Sequence, residues 1–282
     1  MIRVLLPTDF SENALNAIYY ALELLKNKEC TFYLLNTYIP SSYILGSIPN
    51  NFSVLQMENI MQENSERRLK DIKKKLEVRS GKEFHQFKTI SSFNILSNEI
   101  NKITKSKNID FIIMGTQGAT GAAEIFIGTQ TMYSIKKAKC PVLAIPESSK
   151  IEIPKNILFP TDFKVDRSNI FLSKLKQVCE LNDANLFFLY VDHGSALSPD
   201  QHATKEWLHN YFQGFHPQFH FDMDIGLVEA VEKYQNKFNI QLLAMIHNKH
   251  NFFENLLFKP VVNQFAYHTK IPFLVLPSSS SF

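Results

Sequence analysis

The sequence predicts an α/β protein made of two tandem open parallel five-stranded sheets flanked by helices. Two observations carry that expectation. Apolar runs of strand length alternate with amphipathic helical segments, and the whole alternation occurs twice in the 282 residues. A third observation, a glycine-rich stretch found in the first copy only, sets the two copies apart in chemistry.

In the first copy the strands fall at 2–6, 31–36, 84–90, 109–114 and 141–145, with helical segments at 13–26, 55–79, 93–107 and 129–138. The strand segments are rich in Val, Ile, Leu and Phe and lack polar alternation, which implies burial on both faces and hence a parallel sheet with right-handed crossovers. Helix 13–26 carries a stripe of Ala14, Ala17, Ile18, Ala21, Leu22 and Leu25 at helical spacing, with Ser11 or Asp9 available to cap its start. Segment 55–79 holds Arg67, Arg68, Lys70, Lys73, Lys74 and Lys75, but Glu63, Glu66, Asp71 and Glu77 are interleaved and Leu69, Ile72 and Leu76 form a core stripe. It reads as a solvated helix face, not a nucleic-acid surface.

The second copy is read from three matches. Arg3–Phe10 (RVLLPTDF) recurs as Asn156–Phe163 (NILFPTDF), Asp110–Met114 as Gln241–Met245, and Cys140–Pro146 as Ile271–Pro277. The first match lies at an offset of 153 and the other two at 131, so the second copy is 22 residues shorter between its ends. Its strands fall near 156–159, 185–190, 217–223, 240–245 and 272–276, and its second helix, about 200–213, is the shortened part. The domains are 1–146 and 155–277, joined by the polar connector 147–154, which ends in Pro154.

Charge separates the copies. Residues 1–146 hold 18 Lys and Arg against 13 Asp and Glu, while the remainder holds 12 against 14. The first half suits an anionic ligand better than the second. The overall charge of +3 marks neither a nucleic-acid nor a membrane partner. Cys30, Cys140 and Cys179 lie far apart, as in a reducing compartment, and Met1–Phe10 reads as a buried strand with its turn and not as a leader. The expected location is the cytoplasm. Eight of the nine histidines lie in the second half, including His202/His209, His216/His220 and His247/His250. They read as scattered surface residues, with a metal-binding module as a lesser alternative because no cysteine or carboxylate completes a ligand set.

The strongest chemical signal runs from Met114 to Thr129: Met114-Gly115-Thr-Gln117-Gly118, then nine residues to Gly128-Thr129. It begins at the end of a strand and leads into helix 129–138. In an open parallel sheet, ligands bind beyond the carboxyl ends of strands. Glycines let backbone N–H groups approach a phosphate, and the first N–H groups of a helix favour an anion. Thr129 and Thr131 can add hydroxyl donors. A Walker loop is excluded because the segment has no lysine, and the G-x-G-x-x-G fingerprint is absent.

Gly115-x-x-Gly118 followed after nine residues by Gly128-Thr129 resembles the G-2x-G-9x-G-[S/T] loop of ATP-binding universal stress proteins. Leu6-Pro7-Thr8-Asp9-Phe10-Ser11 resembles that family's first strand and turn, and Cys140–Ile145 its closing strand. The resemblance implies a Rossmann-like universal stress protein fold, with ATP or another adenine nucleotide, with or without Mg²⁺, as ligand. It implies Asp9 against the adenosine portion with Pro7 and Thr8 nearby, and Thr37 lining the base pocket. Met114 and Gly115 then lie beside ribose and phosphates, and Gln117, Gly118, Gly128, Thr129, Gln130 and Thr131 on the triphosphate side. Gln130 departs from the small or aliphatic residue usual there.

Other readings stand beside these. Asp9 can serve only to cap the helix, since Asp162 persists in the second copy without a glycine loop. Gly115 and Gly118 can serve only a tight turn. At the fixed offset, Gly115, Gly118 and Gly128-Thr129 become Ile246, Lys249 and Lys259-Pro260, so the second copy reads as a non-binding partner. No nucleophile–base pair appears, and the protein reads as a regulatory binder of the stress response, with at most slow ATP hydrolysis. The alternative is a nucleotide-free scaffold acting through protein contacts. Because each copy ends in an apolar strand that needs cover, the two are expected to pair within one chain, with 141–145 antiparallel to 272–276, and a homodimer remains a further option.

Overall fold

The computed structural model describes residues 1–39, 51–116, 129–192, 194, 196–223, 225–247 and 270–278. Elements of the first half are β1 (Ile2–Pro7), α1 (Glu12–Leu24), β2 (Cys30–Thr37), α2 (Asn51–Ser80), β3 (His85–Ser92), α3 (Leu96–Lys107), β4 (Phe111–Gly115), α4 (Thr129–Lys137) and β5 (Val142–Ile145). The second half continues with β6 (Asn156–Pro160), α5 (Leu172–Asn182), β7 (Asn185–Asp192), α6 (Pro199–Tyr211), β8 (Gln218–Met223), α7 (Leu227–Lys237), β9 (Leu242–His247) and β10 (Phe273–Pro277).

The two five-stranded parallel sheets expected from the repeat are halves of one ten-stranded sheet, ordered β3-β2-β1-β4-β5-β10-β9-β6-β7-β8. Every pairing within a half is parallel. The halves join where β5 meets β10 antiparallel, with Phe273 opposite Ala144, Leu274 opposite Leu143 and Val275 opposite Val142. Each half contributes a short, wholly apolar strand to that seam, and pairing removes what would otherwise be two exposed apolar edges.

Doubly buried strands need cover on both faces, and the core accordingly lies in two layers. On one face Val4, Leu6, Leu143, Ile145, Leu274 and Leu276 meet α1, α2, α5 and α6. On the other, Leu5, Val142, Ala144, Phe273 and Val275 meet α3, α4 and α7. Both layers run unbroken across the seam.

Local chemistry sets the helix ends. Ser11, not Asp9, caps α1: its hydroxyl accepts from the Ala14 N–H at 3.2 Å. Ser198 and Gln201 form a reciprocal capping box on α6, with Pro199 in its first turn. Asn108 and Asp183 take left-handed conformations just past α3 and α5, as short polar side chains do at helix ends. Helix α2 packs on β3 and β2, with Ser65, Leu69 and Leu76 buried and its charged residues outside.

Candidate functional site at the carboxyl ends of the first-half strands

Strand β1 has β2 on one side and β4 on the other, so the chain reverses direction across the sheet between β1 and β4. The crevice at such a point, beyond the carboxyl ends, is where open α/β sheets bind ligands. Two motifs distant in sequence converge there. Pro7, Thr8 and Asp9 leave β1, while Met114 and Gly115 end the neighbouring β4. Thr37 ends β2 on the other flank.

The turn after β1 is built by side chains. The Thr8 N–H donates to Leu35 O at 2.8 Å and Asn36 Nδ2 donates to Thr8 O at 2.7 Å, which ties the turn to β2. Thr8 Oγ1 then accepts from the Phe10 N–H at 3.0 Å, and Asp9 Oδ1 from the Ser11 N–H at 3.0 Å. These bonds hold Phe10 at φ 68°, a conformation rare for so bulky a residue. The Arg68 guanidinium lies 4.1 Å from the Phe10 ring centroid. Asp9 itself is exposed.

The second half repeats this turn almost bond for bond. Thr161 N–H reaches Leu189 O at 2.8 Å, Thr161 Oγ1 accepts from Phe163 N–H at 3.0 Å, and Asp162 Oδ1 accepts from Lys164 N–H at 2.9 Å. Phe163 sits at φ 55°. The Thr-Asp-Phe motif therefore has a structural duty in both halves, and Asp9 performs it without capping the helix.

At the end of β4, Gly115 is in direct contact with α1. A Cβ there would fall 2.0 Å from the Asn13 side-chain amide, 2.9 Å from its Cγ and 3.1 Å from its backbone oxygen. Asn13 is buried, and with its amide turned to satisfy its neighbours it donates to Ile145 O at 3.2 Å and accepts from Glu147 N–H at 3.3 Å. It thereby fastens the ends of β4 and β5 to the start of α1. Thr131, on α4, is buried and its hydroxyl donates to Gly115 O at 2.8 Å. That proton is committed to the backbone, and the bond holds the start of α4 against the end of β4. Gln130 is exposed beside it. Thr129 opens α4. Gln117, Gly118 and Gly128 lie outside the described residues, as do Lys249, Lys259 and Pro260.

Sequence reasoning missed Asn13 and Asn36, the two buried amides that brace the crevice. Helix periodicity places Asn13 at the buried start of α1, but only its contact with Gly115 gives it a role. In the second half Asn169 Nδ2 donates to Pro277 O at 3.0 Å, the same bracing of a final strand. There α5 begins at Leu172, after a longer turn, and Ile246 stands where Gly115 does in the first half.

The remaining candidate groups are quiet. All three cysteines are buried and free, and burial pushes each thiol up to about 12, so none is a thiolate nucleophile at neutral pH. His220 departs from the surface position expected of it. It stacks between Phe187, at 6.0 Å, and Phe238, at 4.7 Å, with Nε2 buried and without a hydrogen-bond partner among the described residues. Among the described residues no three His, Cys, Asp or Glu side chains are grouped to hold a metal, and no described helix is long and apolar enough to cross a membrane.

Each half is thus an open, doubly wound α/β unit, and the first has a braced crevice at its switch point. Residues 1–146 match the universal stress protein family, and the chain belongs to that family. It is similar to two proteins of Methanocaldococcus jannaschii. Universal stress protein MJ0577 is 34% identical over 157 residues, covering 51% of this chain and 93% of that protein. Universal stress protein MJ0531 is 29% identical over 148 residues, covering 52% of this chain and 84% of that protein. The crystal structure of a universal stress protein from Archaeoglobus fulgidus matches the fold over the whole length, with a TM-score of 0.66, 18% identity, and 98% of this chain and 96% of that one covered.

Proposed function

We propose that the first domain, residues 1–146, binds one adenine nucleotide, ATP in the first instance, and that residues 155–277 form a degenerate domain that binds none. The protein is then a nucleotide-responsive regulator of the stress response, acting in the cytoplasm without a required catalytic step. The observation that carries the reading is the convergence of Pro7-Thr8-Asp9 and Met114-Gly115 on adjacent strand ends at the first domain's switch point. Thr37 flanks this crevice, and the Gly118, Gly128-Thr129 portion of the sequence motif supplies the residue types a phosphate needs.

Asp9 is exposed beyond the turn it stabilises, so one carboxylate can serve both the turn and the adenosine portion. In the second domain Ile246 replaces Gly115, and the sequence offers lysines and a proline in place of the glycines. The antiparallel β5–β10 pairing supports a pseudo-two-fold dimer within one chain, in which the second domain completes the edge of the first. Nucleotide extracted from purified protein by denaturation and identified by mass spectrometry tests the ligand class. An adenine nucleotide at near-stoichiometric yield supports it. Empty protein that also fails to bind ATP, ADP and AMP points to the nucleotide-free scaffold, the reading favoured by the shared Thr-Asp-Phe turn.

A further inference from the structure

The ten-stranded sheet has two outer strands, β3 and β8, and they are protected very differently. On β3, Thr89 pairs with Leu34 and Ser91 with Asn36, and Ser91 Oγ donates to Ser65 Oγ of the overlying 30-residue α2 at 2.8 Å. Gln86 and Lys88 add exposed polar groups along this strand, a usual defence of a sheet edge. On β8 the positions equivalent to Thr89 and Ser91 are Phe219 and Phe221, paired with Phe188 and Tyr190. The covering helix α6 is only 13 residues long, because this is where the second repeat is shortened. Phe219, Phe221 and Met223 alternate along one face, and Phe221 is 44% and Met223 61% exposed.

A groove of about 520 Å³ opens between α6 and this face, lined by His202, Lys205, Glu206, His209, Phe219 and Phe221, with Asn210 at its side. Lys205 leans over the floor, its Nζ 4.8 Å from the Phe221 ring centroid and 5.7 Å from that of Phe219. Among the described residues it makes no ion pair. Glu206 lines the same groove but is not ion-paired with Lys205 among the described residues, so the ammonium held on two aromatic faces can take a carboxylate from outside.

We propose that this edge is a peptide-docking site: an extended segment of a partner protein pairs with the backbone edge of β8 that no described strand occupies. One acidic side chain of the segment meets Lys205, and large apolar side chains at alternate positions cover Phe221 and Met223. Strand addition of this kind takes affinity from main-chain hydrogen bonds and specificity from alternate side chains. A second copy of this chain fits less well. Joining β8 to β8 about a two-fold axis sets α6 beside α6, as α1 and α5 lie side by side across the β5–β10 seam, and brings Lys205 toward its own copy.

The probe is a fluorescein-labelled peptide, Thr-Leu-Thr-Asp-Thr-Leu-Thr, titrated with the full chain. Controls carry Lys in place of Asp, or N-methylated amides that block strand pairing. The expected result is saturable binding, at least about tenfold tighter for the Asp than the Lys peptide, and lost on N-methylation. Lys205→Glu should reverse the charge preference, and Phe221→Asp should abolish binding. Lys205→Glu gives up two cation–aromatic contacts but no ion pair among the described residues, so it keeps the test decisive if Phe221→Asp fails to fold. No saturation, equal affinity for both peptides, or indifference to N-methylation or to Lys205→Glu overturns the proposal. So does a concentration-dependent dimer, seen by sedimentation, that Phe221→Asp dissolves, because that assigns the edge to a second copy.

Discussion

Gly115 and Asn13 occupy each other's space: a Cβ on Gly115 would lie 2.0 Å from the Asn13 amide. The glycine that the sequence motif assigns to a ligand is thus also required by packing. Gly115→Ala should destabilise the protein by about 1–3 kcal/mol, the usual range for overpacking a filled site. Adding Asn13→Ala should recover part of that loss, because the remaining clash is with backbone at 3.1 Å. Denaturant unfolding of the single and double variants checks this; an unchanged midpoint for Gly115→Ala would contradict it.

Asp9 and Asp162 make the same turn, so they separate structural from binding roles. Asp9→Asn keeps an acceptor for the Ser11 N–H and should leave the melting temperature nearly unchanged while weakening ATP binding. Asp9→Ala should weaken ATP by about 1.5–3 kcal/mol, the value of a hydrogen bond to a charged group, and affect inorganic triphosphate much less. Asp162→Ala should leave ATP affinity unaltered. Equal losses for ATP and triphosphate in Asp9→Ala would count against an adenosine contact.

The two halves are also joined by charge. Asp110, at the start of β4, accepts the Arg3 N–H at 2.9 Å and Lys174 Nζ of α5 at 2.5 Å, with both side chains of the ion pair about three-quarters buried. Lys174→Met should cost about 1–3 kcal/mol, as for a charged hydrogen bond lost in a partly buried setting. Leu274→Ala, in the seam strand itself, should cost about 2–5 kcal/mol. Because the core layers cross the seam, each should shift one cooperative transition. Two separated transitions by calorimetry would show that the halves melt independently.

Two histidines make stability depend on pH. Burial lowers the pKa of His220, helped by Lys237. Burial also lowers that of His85, against the opposing pull of the Leu25 and Lys28 carbonyls. A folded-state value below the unfolded one means that the unfolded chain binds protons first as pH falls. Their contribution is therefore intact above about pH 6.5, the unperturbed value, and is lost progressively below it. His220→Phe, which keeps the aromatic stack, should flatten the decline between about pH 7 and 5. An unchanged slope, measured by urea unfolding across that interval, would remove His220 from the account.

Much of the fold was legible because doubly buried strands write themselves as unbroken apolar runs. β1, β2, β4 and β9 could be placed within a residue or two, and repetition supplied weaker members such as β8. The site was only partly legible. Pro7, Asp9, Met114 and Gly115 stand in local motifs, whereas the Asn13–Gly115 contact depends on how closely α1 crosses the end of β4, which spacing does not encode. Thr131 reads as a free donor because it follows Gly128-Thr129 at the start of a helix; the helix turns it inward onto Gly115 O. His220 reads as one of several scattered surface histidines because no ligand set surrounds it in sequence, yet its ring packs against Phe187 and α7. Asp9 and Ser11 were interchangeable caps in sequence, and backbone geometry chose Ser11.

Calorimetric titration of ATP into the purified, nucleotide-stripped full chain tests the central claim most directly. The account predicts one site per chain, abolished by Gly118→Val with the cooperative unfolding transition retained. Two equivalent sites, or none, would contradict it.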